Sequence, residues 1–475
     1  MCVDSIEHKL FGAMLALTVF VLAASTVASA SKADAFARPK GYVLEFVSTA
    51  ADGVDINDAG NIIGTSRPDT GCGSDCLPPL DTVVWKNGAR IVLPSVPGLT
   101  GITVTGINAQ GWISGFAGVL FTTTHAVVWK PAGNTYEAID LGTLPGTTIS
   151  SATGIDDFGR VVGWSTTNDF PPTGSPFMWT EAGGMVDLSA QGFPDEQPLA
   201  LSPGGTVATA DFWYRLDDSS SVVAMPAAPS GFTLGSEPAA INNAGDQARF
   251  LISTGAQHLR YLFRFNHEGT WQQISFVGNG SVIYGIGSIT ETRDITSTIV
   301  GVAQVAYGPD GLAESLAPLV SAAYKGGDIT VAGPMNENGQ ILAKMIIGRS
   351  ARLVKLVPGQ NCTTNCTRVV GLQMMGQGPG FCDQGNDQVK AKLTVKDEIG
   401  TLLPNVRITG HFLDDYWLDE KVVIQTNASG QLVVNHVGPA CVGAIAFLVT
   451  NAETQTGRAF DRTKGVLTNY VIPLP

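Results

Sequence analysis

The chain has 475 residues, of which 15% are charged and 44% apolar, and its formal net charge is −13. That length allows more than one domain, and the acidic balance argues against nucleic acid and anionic membrane surfaces as partners. With 56 glycines, 26 prolines and little helical periodicity after the first thirty residues, a long helical bundle is excluded and an all-β chain is expected.

Residues 1–30 read as a secretory signal peptide. Lys9 precedes the apolar run Leu10–Ala24, and Ala28-Ser29-Ala30 supplies small residues for cleavage. A membrane anchor is the competing reading, but the run is short for a spanning helix and ends in Ser, Thr and Ala. The mature protein is therefore expected outside the cytoplasm, secreted or periplasmic, with no membrane span.

A repeat follows. Asp55–Gly64 reads DINDAGNIIG, Gly106–Gly115 reads GINAQGWISG and Gly154–Gly163 reads GIDDFGRVVG; Ala240–Ala248 and Pro334–Ala343 are looser copies. Asn and Asp tolerate left-handed backbone and bond their own backbone in turns, and Gly takes positive φ without strain. Apolar runs on both sides then make each copy a β-hairpin. Leu199–Ala208 and Ile286–Gly301 are degenerate copies. The apolar anchors Ile56, Ile107, Ile155, Leu201, Ile241, Ile286 and Met335 recur every 40–51 residues, room for four short strands per unit. Between the anchors lies a second hairpin, clearest in Thr82–Val92, His125–Leu141 and Pro176–Leu188. The last unit has only its first strand, Arg352–Val357, while Gly41–Ser48 resembles a second strand with nothing before it. Seven units with split ends predict a seven-bladed β-propeller over 41–358, closed by Tyr42–Val47 pairing with Ala351–Val357. Trp85, Trp129, Trp179 and Trp213 recur at equivalent places. They read as packing residues between units, since a sugar-stacking residue has no reason to repeat in every one.

These residues resemble the HAF family of extracellular repeat proteins. Gly154–Gly163 matches the family's G-I-N-D-x-G-x-V-V-G, Thr124–Trp129 its H-A-F-x-W and Asp140–Leu144 its D-L-G-T-L. The resemblance covers about Tyr42–Val357 and is strongest in the first three units. It implies a secreted β-propeller and brings no catalytic motif with it.

Six cysteines remain after the signal: Cys72, Cys76, Cys362, Cys366, Cys382 and Cys441. An even count in an exported chain reads as structural disulfides. Cys72–Cys76 and Cys362–Cys366, both C-x3-C, would each close a small loop, and Cys382–Cys441 would be the long bridge; fifteen pairings are open to six cysteines. No His lies near either close pair, so zinc is disfavoured. Cys72 and Cys76 sit in a long insertion, Thr65–Leu80, of the kind that carries binding. Residues 359–385 read as a Cys-containing linker. From 386 to 475 strands recur every eight to twelve residues, predicting an immunoglobulin-like β-sandwich. The run Lys392–Asp397, then Pro404-Asn405-Val406 and Thr426–Gln431, resembles bacterial immunoglobulin-like domains, which implies a spacer or binding accessory.

Catalytic motifs are scarce. G-x-S-x-G, H-E-x-x-H and a phosphate loop are absent. Of the histidines, His125 reads as packed or capped within its strand and His267-Glu268 as a solvated pair in a turn. Asp55–Gly60 slightly resembles a calcium loop but has Ala59 and Ser66 at ligand positions. Asp414-Asp415 with Asp419-Glu420 is the densest acidic cluster and reads as a solvated loop. Asp58, Asp156 and Asp157 sit in turns whose equivalents are Ala109 and Asn243, as turn chemistry requires, and offer no acid–base pair. The sequence reading is a monomeric, non-catalytic secreted protein without cofactor or metal. It binds a glycan or protein ligand through loops on one propeller face. A glycan hydrolase or lyase using loop carboxylates is the alternative.

Overall fold

In the computed structural model, the structure describes residues 39, 41–49, 51–68, 79–119, 123–169, 173–234, 240–255, 259–274, 283–299, 302–308, 313–320, 324, 328–347, 350–359, 362–377, 387–414, 419–438 and 445–471. The signal region, Cys72, Cys76, Cys382, Cys441 and Asp415 lie outside them. The described chain is all-β, with many small antiparallel sheets and no α-helix among the described residues. None of its helices is long and apolar enough to cross a membrane.

The repeat appears as a series of antiparallel sheets of four strands, or five in one case. Ala51–Ile56, Ile62–Ser66, Asp81–Lys86 and Ala89–Val92 form the first. The second is built from Ile102–Ile107, Ile113–Ala117, His125–Ala132 and Thr135–Gly142, and the third from Ile149–Ile155, Val161–Thr166, Gly174–Thr180 and Gly184–Asp187. A fourth starts at Ala200–Leu201, and in a fifth both Phe232–Leu234 and Ala240–Ile241 pair with Gln247–Ser253. The sixth starts at Ile283–Ile289. Ile329–Met335, Ile341–Ile347 and Ser350–Pro358 take Tyr42–Ser48 as their fourth strand, so the first strand of the chain completes the last sheet. The register runs Tyr42↔Pro358 to Ser48↔Leu353, the pairing expected from the split unit.

Apolar residues of each sheet meet those of the next. One cluster joins Val54 and Val84 to Ile107 and Trp129; the next joins Val128 to Ile155 and Trp179; a third joins Val162 to Leu201 and Tyr214. Ala208 then meets Ile241, Ala248 meets Ile289, and Val305 meets Met335. The last contact in the series joins Leu342 and Leu353 back to Ile56 and Trp85. The packing therefore closes on itself, which leaves no open sheet face at either end.

Trp85, Trp129 and Trp179 are buried, each opposite an apolar residue of the hairpin: Ile62, Ile113 and Val161. In the fourth sheet that place belongs to Tyr214, opposite Val207, and Trp213 faces the other way. Trp213 instead lies against Gly245, where an added Cβ would come within 2.7 Å of its ring.

The repeat's two glycines have different physical causes. The turn glycine, φ +77° at Gly159, adopts the left-handed region. The closing one answers a bulge in the first strand, where the register shifts between Ala152 and Gly154. That shift drives the Ser151 carbonyl to 2.1 Å from where a Cβ on Gly163 would stand; Gly64 and Gly115 face the Asp52 and Thr103 carbonyls in the same way.

Beyond Pro358 two more four-stranded sheets form. One contains Cys366–Gln377, Asp387–Lys396, Gln431–Gly438 and Ala459–Phe460; the other contains Arg407–Asp414, Asp419–Gln425, Ile445–Glu453 and Thr468–Val471. Much of the segment read as a linker is thus a twelve-residue strand, Cys366–Gln377. Its alternation is broken by a bulge between Val369 and Gly371, which hides it in the sequence. These sheets share one apolar cluster with Tyr42, Leu44 and Leu356. Phe46 stacks at 5.2 Å on His411, and Glu45 bonds both Lys355 and Arg462. The spacer reading therefore meets a packed junction.

Candidate functional site: a ring of turns

Seven hairpin turns, one in each sheet of the repeat, share one hydrogen-bond scheme, which Asp397, Asn427 and Thr454 repeat in the sheets beyond Pro358. Their first residues are Asn57, Asn108, Asp156, Ser202, Asn242, Thr290 and Asn336. Each one's side-chain oxygen accepts the amide four residues on, at 2.8–3.0 Å. Each one's carbonyl accepts the amide three residues on. This is the Asx/ST turn that makes Asn, Asp, Ser and Thr interchangeable here. The sixth turn is Thr290–Arg293, so its apolar anchor is Ile289 and not Ile286. Arg293 holds φ +70° where the other six turns have Gly.

The turns are bonded to one another in a closed circuit. Asn57 Nδ2 donates to the Asn108 carbonyl at 2.9 Å, and Asn108 Nδ2 to that of Asp156 at 3.0 Å. The Asp157 amide donates to Pro203, and the Gly204 amide to Asn243 Oδ1. Asn242 Nδ2 donates to the Thr290 carbonyl, and the Glu291 amide to the Glu337 carboxylate. Asn336 Nδ2 donates to the Asn57 carbonyl at 2.9 Å, 279 residues away, which completes the circuit.

Carboxylates reinforce it from the second turn position. Asp157 accepts the Ala109 amide at 2.8 Å, Glu291 that of Asn243 at 2.7 Å, Glu337 that of Glu291 at 3.0 Å and Asp58 that of Glu337 at 2.9 Å. Burial pushes all four up against the pull of those amides, and repulsion by nearby carboxylates adds to it for Asp157, Glu291 (from Asp246) and Glu337. Asp157 reaches about 6 and Glu337 about 8. Asp55, fully buried beneath the first turn, is raised to about 8 by burial although the Ile107 and Ile56 amides both donate to it. Both Asp55 oxygens are thus taken by backbone amides. Among the described residues no group of three or more His, Cys, Asp or Glu is placed to hold a metal.

Around the circuit stand partly buried charged groups. Arg160 Nε binds Asp156 at 2.6 Å, yet burial still holds Asp156 above the usual carboxylate range. Burial works against ionised Asp246 too, but the His267 amide and ring, Arg293 and Asn242 more than offset it and its pKa falls. His267 is thus tied to Asp246 at 2.8 Å and not to Glu268. His125 bonds Asp140 at 3.0 Å. Asp419 and Glu420 of the acidic cluster are engaged by His411 and His436 respectively. Cys362 and Cys366 form the expected disulfide.

Asp58, Asp156 and Asp157 lie in turns of this circuit, Asp58 and Asp157 each bonded to a neighbouring turn. Glu291, Glu337 and Arg293 were not singled out in the sequence. Glu337 was detectable, since it follows an Asn in a recognised copy of the motif.

Comparisons with known proteins add little beyond shape. Neither a protein-family model nor a curated protein matches the chain. It is similar to a solved prolyl endopeptidase structure at 10% identity and a TM-score of 0.43, covering 83% of this chain and 60% of that one. A puromycin hydrolase structure matches at 11% identity and a TM-score of 0.40, over 79% and 62%. An AofleA mutant structure from Arthrobotrys oligospora matches at 11% identity and 0.25, over 88% and 98%. The chain thus spans about three fifths of the first two structures.

Proposed function

We propose that the chain is a secreted seven-bladed β-propeller of HAF-like repeats carrying an immunoglobulin-like sandwich, and that it binds a glycan or protein ligand without transforming it. The observation that carries the non-catalytic reading is the occupation of the ring carboxylates. Asp58, Asp157, Glu291 and Glu337 each accept a backbone amide of the neighbouring turn. A general acid or nucleophile must be able to turn its carboxyl toward a substrate, and each of these is pinned to a neighbouring turn through at least one oxygen. Ligand contact then falls to loops at a propeller face. The raised values of Asp157 and Glu337 keep hydrolysis or cleavage as a second reading, because perturbed carboxylates gather at catalytic sites.

The test is a glycan array probed with the mature protein, with and without calcium, together with assay of released sugar. Retention of protein on one glycan class without release supports the binding reading. Progressive loss of the immobilised glycan overturns it in favour of hydrolysis.

A further inference from the structure

The sandwich carries a lysine row without ion-pair partners among the described residues. Three of the chain's 13 lysines, Lys390, Lys392 and Lys396, fall within seven residues. They share one face of Asp387–Lys396, because Val389, Ala391, Leu393 and Val395 between them are wholly buried in the core. Alternate residues on a strand lie about 6.7 Å apart, so the row extends about 20 Å.

The register identifies its neighbours. Lys390 stands between Met375 and Asn435, Lys392 between Gln373 and Val433, and Thr394 between Gly371 and Gln431. Lys396 faces Arg368, whose guanidinium is committed to Asp461. No carboxylate occupies these cross-strand places, where an opposite charge would normally be favoured. None of the three lysines has an ion-pair partner among the described residues. Lysine on a sheet often guards an open edge, but this strand is paired on both sides, so edge protection does not explain the row.

We infer that this face binds a linear acidic polysaccharide lying along the strand. The row supplies positive charge at strand spacing, and Gln373, Asn435, Gln431 and Thr394 supply hydrogen-bond groups suited to sugar hydroxyls. The face lacks aromatic side chains in these rows, which a single-stranded nucleic acid would use for base stacking. The net charge of −13 opposes a broad anionic surface such as a lipid bilayer, whereas a narrow chain sees mainly the charges within a Debye length of about 10 Å. The inference does not depend on where the propeller binds.

The experiment measures binding of the full mature chain to polygalacturonate at low and high salt, against dextran as neutral control. Phosphatidylglycerol vesicles and a single-stranded oligonucleotide are run alongside. Polygalacturonate is expected to bind and weaken steeply with salt, and Lys390→Gln/Lys392→Gln/Lys396→Gln to bind at least tenfold more weakly with an unchanged unfolding midpoint. Should that variant fold poorly, Val433→Glu, which sets a carboxylate beside Lys392, is expected to weaken binding similarly. Absence of polygalacturonate binding, equal binding by folded variants, or tighter binding to vesicles or oligonucleotide overturns the inference.

Discussion

Arg293→Gly sets two effects of opposite sign against each other. Six turns place Gly at this position, and Arg293 adopts the same left-handed backbone at φ +70°. That conformation costs a non-Gly residue about 1 kcal/mol, part of which Gly returns through its looser unfolded chain. The substitution also removes the guanidinium bonded at 2.7 Å to Asp246, which is 1% exposed. Asp246 keeps His267 and Asn242, so the loss is one hydrogen bond to a buried charge, about 2–3 kcal/mol. The net expectation is a destabilisation of about 1–2 kcal/mol at pH 7, read by chemical denaturation. In an Asp246→Asn background the penalty should largely vanish. Greater stability of Arg293→Gly than wild type at pH 7 would refute the assignment of Arg293 as counter-charge to Asp246.

Asp55, Asp157 and Glu337 have folded pKa values above their ordinary ones. Their contribution to stability is therefore fully present below about pH 4 and is lost as pH rises through about 6 and 8. For Asp55, a rise from 3.8 to about 8 at about 1.4 kcal/mol per pH unit bounds the loss at about 6 kcal/mol. Asp55→Asn should flatten the stability profile between about pH 4 and 8, and an unaltered slope would count against a buried ionising Asp55. Gly115→Ala should cost about 3 kcal/mol through its clash with the Thr103 carbonyl, and Gly88→Ala, at φ +76° with nothing within 4 Å, about 1 kcal/mol; similar costs for both would remove the bulge argument. Tyr214→Ala should destabilise by about 3–5 kcal/mol and more than Trp213→Ala, as denaturation midpoints would report.

The architecture was legible wherever local chemistry is self-sufficient. An Asx turn with its glycine is written in ten consecutive residues, and the split unit shows as two short unmatched strands, Gly41–Ser48 and Arg352–Val357, at opposite ends of the repeat. Legibility failed where tertiary packing substitutes for local signal. In the sixth turn Thr290 and Arg293 replace Asn and Gly, and Arg293 is tolerable only because Asp246 lies beside it. That shifted the sequence anchor to Ile286. Trp213 does pack between two units, against Ala208 and Ile241, but register gives the place of the other tryptophans to the adjacent Tyr214. Cys366–Gln377 escaped because its bulge breaks the period of two. The ring carboxylates depend on residues 46–48 apart in sequence, and 279 at the seam, so no local window contains them.

Closure of the ring through its turns is tested most directly by the unfolding free energy of Asn336→Ala. Asn336 is 1% exposed, donates to the Asn57 carbonyl across the seam and to Gln340, and accepts the Gln340 amide. Losing three hydrogen bonds at about 1 kcal/mol each predicts a destabilisation of about 3 kcal/mol in a single cooperative transition. A variant as stable as wild type would contradict a ring held shut at this turn.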